Sequence, residues 1–301
     1  MKLVTFINPD KVWRSGWLVD NGVVDMQKAD PRLPSTMLEF IDNHEELLPI
    51  AKAVKIETPH YKLEEVELKA PLPEPRSFRD YIGFETHMLN ASKSFGHKLS
   101  EVWYEMPIFY FTNHHGITGP NDEIKRPKKE HRMDLELEMG CIIGKAGKDI
   151  PASEGKAHIF GYTIFNDWTA RATQAKEMNM PLGPHKGKDF ANTIGPCIVT
   201  YDEMEQYATE DERFDISMKA YINDQEICSG NYKTVHYTFG QMIERASENG
   251  VELRPGDILG SGTVGWGSLI ENNFSVHRPL EPGDSVKLEI EGIGELINKV
   301  V

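Results

Sequence analysis

The chain has 301 residues, 39% of them hydrophobic and 27% charged, which suffices for one large domain or a main domain with a small companion. Lys and Arg number 33 against 47 Asp and Glu, and a net charge of −14 argues against nucleic acid or an anionic membrane as partner. The sequence holds no apolar run of about 18 residues, and "MKLVTFINPDKVW" reads without the features of a secretory signal; the odd, scattered Cys141, Cys197 and Cys228 suggest reduced thiols in a cytosolic protein, not a disulfide frame or zinc site.

Residues 1–70 read as a small N-terminal α/β unit. "GWLVDNGVVDM" predicts a hairpin turning at Asp20-Asn21-Gly22. "STMLEFIDNHEELLPIAKAV" has helical spacing at Met37, Leu38, Ile41 and Leu48, with Thr36 and Glu39 as a capping box and Pro49 as a break or restart. "APLPEPRSF", with three prolines, is an extended connector into a main domain spanning 71–301. Beyond it come "MPIFYFT", "DLELEMGCIIG", "IFGYTIFND", "TIGPCIVT", "DISMKAYIND" and "SVKLEIEGIGELINKVV", all strand-like. Helices are predicted in "ETHMLNASKSFG", "WTARATQAKEM" and "TFGQMIERASENG", and Pro255-Gly256-Asp257 and Pro282-Gly283-Asp284 each open a new strand. The basic stretch "KRPKKEHR" (125–132), diluted by Glu123, Glu130 and Pro127, reads as a solvated loop. The class is α+β and mostly β, not alternating βα.

One stretch poses a chemical question. In a strand, residues two apart share a face, so Asp134, Glu136 and Glu138 of "HRMDLELEMGCIIG" project together, opposite Met133, Leu135, Leu137 and Met139. Such a face either meets water or holds a hard cation, for which oxygen ligands are preferred. The apolar "MGCIIG" that follows favours the cation, because buried acids need compensation. Asp167 ends an apolar strand where a helix begins; it is equally a helix N-cap or a ligand aimed into a pocket. His87, near Asp80 and Glu85, has the chemistry of a base for a metal-bound water, although a lone helical histidine is more often structural.

Read together, "DLELEMGCIIG", "GYTIFNDWTARATQ", "PLGPHKGKDFANTIGPCIV" and "LRPGDILGSGTVGWGSLIE" resemble the fumarylacetoacetate hydrolase family over about residues 71–301. The resemblance implies a mixed β-sandwich roll, usually a homodimer, with one divalent cation per site: Mg2+ or Mn2+ first, with Ca2+ as the other candidate. It implies Asp80, Glu136, Glu138 and Asp167 as metal ligands, Asp134 having no ligand role and belonging to the rim or a neighbouring hydrogen bond. His87 becomes the catalytic base, oriented by Glu271. Arg171, Gln174 and Lys188 become the cluster that steadies negative charge on substrate, Asp167, Arg171 and Gln174 sharing one helical face. Tyr110 and Thr263 match substrate contacts. Ile82, Met178 and Gly96 (with His97 and Lys98 beside it) stand where the family's substrate-gripping tyrosines and arginine would be.

The implied activity is metal-assisted hydrolysis of a carbon–carbon bond in a β-diketo acid such as an acylpyruvate, with the helix after Phe84 and "ASKSFGHK" as a lid. The alternatives are decarboxylation of oxaloacetate or a related β-keto acid, and, in another class, a non-catalytic keto-acid binding protein.

Overall fold

Runs of β-branched and aromatic residues separated by Gly, Pro and Asp turns become strands; Leu137–Ile143 and Ile159–Asp167 are buried on both faces, whereas Ser217–Ile222 and Ser285–Ile290 alternate buried and half-buried residues. The computed structural model describes every residue except Phe95, His97 and Pro181. Among the described residues a 12-stranded mixed sheet forms the body, joined by a 5-stranded sheet and a two-stranded ribbon. The middle of the large sheet is antiparallel, with Leu137–Ile143 between Ile159–Asp167 and Ile258–Gly260. Phe78–Tyr81 then adds parallel to Ile258–Gly260, and Phe109–Phe111 closes that side. The chain is α+β and mostly β.

The hairpin of Trp13–Val19 and Gly22–Asp25 forms as the sequence predicts, with Asp20 taking a φ of 46° in the turn. Lys2–Ile7 pairs with Trp13–Val19 and, through Lys2 and Leu3, with Asn192–Thr200, so the first strands continue the large sheet. Thr36 caps Met37–Asp42 by accepting the Glu39 N–H at 3.4 Å, without the reciprocal bond of a full capping box. The break expected at Pro49 lies instead at Asn43, where φ −118° and ψ 22° leave the helical region. Pro49 sits inside His44–Ala53, where the carbonyl it deprives of a donor belongs to exposed Glu45 and meets water.

Alternation sends the residues of the central strands to two cores. Met139, Cys141 and Ile143 face the 5-stranded sheet and the helix Phe239–Ser247. Ile142, Phe165, Ile258 and Phe78 face the helical layer of Met37, Phe40 and Ile41. The helix Phe239–Ser247 carries a full capping box between Thr238 and Gln241. No helix among the described residues is long and apolar enough to cross a membrane.

The acidic stretch departs from the single strand expected. It pairs as Met133–Asp134 in the ribbon and resumes as Leu137–Ile143 in the large sheet, with Leu135 and Glu136 between. Every residue from 133 to 143 is buried, so no acidic face meets water, and the three acids go to different surroundings.

Candidate active site

Asp80, Glu138 and Asp167 lie on three strands of the large sheet, and the pairing register puts them on one face. Gly140 opposes Gly260 and Gly260 opposes Asp80, while Glu138 opposes Phe165, two residues before Asp167. Gly260 matters because a Cβ there would collide with Oδ1 of Asp80 and come within 3.1 Å of Oε2 of Glu138. The three carboxylates offer oxygens that all lie within 4.8 Å of one another, and the residues are at most 2% exposed.

Compensation within this triad is incomplete. Glu138 accepts the Gly262 N–H at 2.9 Å and the Thr263 hydroxyl at 3.2 Å, and Asp167 accepts the Tyr110 hydroxyl at 2.6 Å and Lys188. Oδ1 of Asp80 and Oδ1 of Asp167 are buried with no partner among the described residues. Burial, followed by repulsion from Asp80 and Asp167, pushes the Glu138 carboxyl well above its ordinary range. Asp167 is pushed up as well, by burial above all and by Asp80 and Glu136, against the pull of Lys188. Converging, buried, partly orphaned carboxylate oxygens are the donor set of a hard divalent cation, so the residues fit such an ion.

Glu136 faces elsewhere. Its carboxylate accepts Lys188 on one oxygen and Arg171 Nη2 at 2.6 Å on the other, and lies 3.8 Å from Nε2 of His87. Burial opposes its ionisation, but Lys188, Arg171 and His87 together hold it far below the usual carboxylate range. Lys188 also reaches Asp167, so one ammonium joins Glu136 to the triad.

His87 and Ala91 are the buried positions of the helix Glu85–Ser94, one turn apart. The Nδ1 side of His87 is 2.9 Å from Oε1 of Glu271, which also accepts the Ser268 N–H and hydroxyl; Oε2 takes the Trp266 N–H at 2.6 Å and Asn90 at 3.2 Å. Burial pulls the imidazole pKa down, yet Glu271, and then Glu136, raise it above its usual value. The carboxylate on Nδ1 leaves Nε2 as the working nitrogen.

All the residues singled out in the sequence therefore converge except in detail. Arg171 opens the helix Arg171–Glu177 and donates to Gln174 Oε1 at 3.1 Å, so these two share a helical face. Asp167 does not, because Thr169–Ala170 forms a short strand between it and the helix. Nor is Asp167 the N-cap; that position is Ala170, and the free N–H groups of Ala172 and Thr173 go to Glu130 at 3.2 and 3.1 Å. Glu130 is 4% exposed, so the "KRPKKEHR" loop read as solvated sends one acid inward. At the other end Glu177 accepts the N–H groups of His185, Lys186 and Gly187, fixing the backbone just before Lys188. Sequence reasoning missed both clamps; the lone acid in a basic octapeptide was the available signal for Glu130. Tyr110 and Thr263, expected at the substrate, spend their hydroxyls on Asp167 and Glu138. Of the lid expectation, Phe95 and His97 lie outside the described residues.

The chain has matches among known proteins over most or all of its length. The family "Fumarylacetoacetate (FAA) hydrolase C-terminal" matches residues 77–301. A fumarylacetoacetase from Arabidopsis thaliana is 27% identical over 85% of this chain and 72% of its own length. A human mitochondrial protein, oxaloacetate tautomerase FAHD2A, is 28% identical over 100% of this chain and 92% of its own. Among solved structures, maleylpyruvate hydrolase from Sphingobium sp. SYK-6, in complex with manganese(II) ion and pyruvate, superposes with a TM-score of 0.74 at 24% identity, covering 100% of this chain and 99% of that one.

Proposed function

The chain belongs to the fumarylacetoacetate hydrolase family, and from that premise we propose that it hydrolyses a carbon–carbon bond in a β-diketo acid of the acylpyruvate type. The single observation that supports this best is the buried His87–Glu271 pair, whose free nitrogen faces Glu136 beside the carboxylate triad. Asp80, Glu138 and Asp167 would hold one divalent cation, with Glu136 as the further ligand joined to them through Lys188. Bound there, Mg2+ or Mn2+, or alternatively Ca2+, would supply Lewis acidity toward a substrate carbonyl.

The remaining chemistry belongs to side chains of this protein. Nε2 of His87 takes a proton from water, Glu271 stabilising the imidazolium as it forms. The hydroxide adds to the carbonyl carbon, and Lys188, Arg171 and the amide of Gln174 have N–H donors left for the developing oxyanion. The C–C bond then breaks, the acyl half leaves as a carboxylic acid, and the carbanion half recovers its proton from His87. Homodimeric assembly and a cytosolic setting are further parts of this proposal.

The test is turnover of acylpyruvates, fumarylacetoacetate and oxaloacetate with Mg2+, Mn2+ and Ca2+ in turn. His87→Ala should remove hydrolysis at least 100-fold, an effect typical of a lost general base. Full activity in that variant would end the hydrolase reading. The full-length match to an oxaloacetate tautomerase favours a second reading, keto–enol proton transfer without bond cleavage. Product analysis by NMR separates them, because only hydrolysis releases two carbon fragments.

A further inference from the structure

Asp134 was the acid without a task in the sequence, and both of its oxygens are satisfied from within the protein. It is fully buried. Oδ1 accepts the N–H of Leu135 at 2.9 Å and of Leu269 at 2.8 Å. Oδ2 accepts the N–H of Ile270 at 3.0 Å and Nε of Arg171 at 2.9 Å. These donors come from three places: the acid's own segment, the helix that opens at Arg171, and the turn Ile270–Asn272 that carries Glu271.

The contacts close a ring, hydrogen-bonded except where Glu136 meets His87 as an ion-pair contact. From Asp134 the path runs through Arg171 to Glu136, on to His87 at 3.8 Å, to Glu271 and back through the backbone of Ile270. The oxyanion cluster and the His–Glu pair are thereby tied to one buried carboxylate that makes no hydrogen bond to Asp80, Glu138 or Asp167 and reaches Glu136 only through Arg171. An amide there keeps one acceptor oxygen, so either the N–H groups of Leu135 and Leu269 or the Ile270 N–H and Arg171 Nε lose their acceptor.

We propose that Asp134 is a positioning residue: it holds Glu271, and through it His87, in register with Arg171, and so governs the chemical step without contacting substrate. This rests on the hydrolase reading for its kinetic arm alone. Misplacement of a reacting group by about 1 Å costs on the order of 100-fold in rate, so Asp134→Asn should lower kcat about 10- to 100-fold with KM within about threefold. Cation affinity, read from the thermal shift with Mn2+, should stay within about threefold, because Asp80, Glu138 and Asp167 make no bond to Asp134 and Glu136 keeps Lys188. The decisive measurement is a double-mutant cycle with Glu271→Gln. If Asp134 acts through Glu271, adding Asp134→Asn to Glu271→Gln costs less than about threefold; multiplied losses, or an unchanged kcat in the single variant, overturn the proposal.

A second measurement uses the unaltered protein and stands even if the variant does not fold or no keto acid is turned over. In hydrogen exchange the amides of Leu269 and Ile270 should be protected like those of Leu137–Ile143. Exchange as fast as in the exposed 273–278 stretch would show that the anchor is not held, whatever the substrate. Absence of turnover in the wild type, with those amides protected, would sink only the hydrolase reading.

Discussion

Asp134 and Glu138 stand four residues apart in one buried segment, yet the first is ringed by donors and the second by other carboxylates. Around Asp134 and Glu136, Arg171 and Lys188 supply two cations. Around Glu138 lie Asp80 and Asp167, of which only Asp167 pairs with a cation, Lys188, among the described residues, and two oxygens of that triad have no partner there. Both groups are equally cut off from water, so burial does not distinguish them. The difference teaches what each half of the site needs: a buried charge cluster that balances itself is held in place before anything binds, and one left unbalanced awaits something from outside.

The sharpest way to break that distinction is to remove a cation from the balanced side. Arg171→Met should destabilise by about 3–5 kcal/mol, because it leaves Asp134 and Glu136 buried without their partner. Urea unfolding measures this directly, and a loss below about 1 kcal/mol would mean that the acids are not held as a balanced group.

On the unbalanced side a cation should instead be gained. Mn2+ or Mg2+ at 100 times its dissociation constant should stabilise the folded protein by about 2.7 kcal/mol. Differential scanning fluorimetry with and without chelator reports it, and Glu138→Gln should remove most of the response. If the response were the same in that variant, the triad would not be the cation site.

Without a divalent ion, Glu138→Gln should act in the opposite sense and stabilise by about 0.5–2 kcal/mol, the usual gain when a functional strain is relieved. The sign follows from titration. Burial and then like charge raise the folded-state pKa of Glu138 and Asp167, whereas the unfolded chain loses these protons near pH 4. Between that point and the raised values the folded protein binds more protons, so its cation-free stability falls as pH rises. Chelated wild-type protein should therefore melt higher at pH 5 than at pH 8, with a shallower slope in the variant. An equal slope in both would place the protons elsewhere.

Much of the triad was legible in the chain, and Glu136, Arg171 and Lys188 were legible through the family resemblance; the task of Asp134 was not. Glu138 and Asp167 stood at the edges of apolar runs, where an acid demands a reason, and Asp80 lay close to His87. The alternation argument failed at Asp134 because it assumed an unbroken strand, whereas Leu135 and Glu136 interrupt it and let the three acids diverge. The donors that fix Asp134 are backbone N–H groups of Leu269 and Ile270, which have no side-chain signature and arrive from 135 and 136 residues away. Glu130 was hidden for the same reason, since it caps a helix some 40 residues downstream. The fold class was more accessible: period-two runs and Pro-Gly-Asp turns are local features. Pro49 misled because its exposed setting tolerates a missing helical bond.

The mildest prediction calibrates the comparison with the same kind of ion pair when its arginine, though not its buried aspartate, reaches solvent. Arg278 and Asp284 meet at 2.6 Å, much as Arg171 and Asp134 do at 2.9 Å, but the Arg278 side chain is 48% exposed where that of Arg171 is 3%. Burial alone would raise the Asp284 carboxyl, yet Arg278, the Glu281 N–H and Asn223 hold it down at about 2. Because the folded-state value is depressed, its contribution is complete above about pH 4 and disappears as the pH falls toward 2. Solvent screening keeps that contribution small, so Asp284→Asn should cost about 0.2–1 kcal/mol at pH 7 and nothing more at pH 2. Urea midpoints at the two pH values test this. A cost as large as that of Arg171→Met would mean that partner chemistry, not burial, sets the strength of these pairs, and the contrast drawn between the two buried clusters would lose its physical basis.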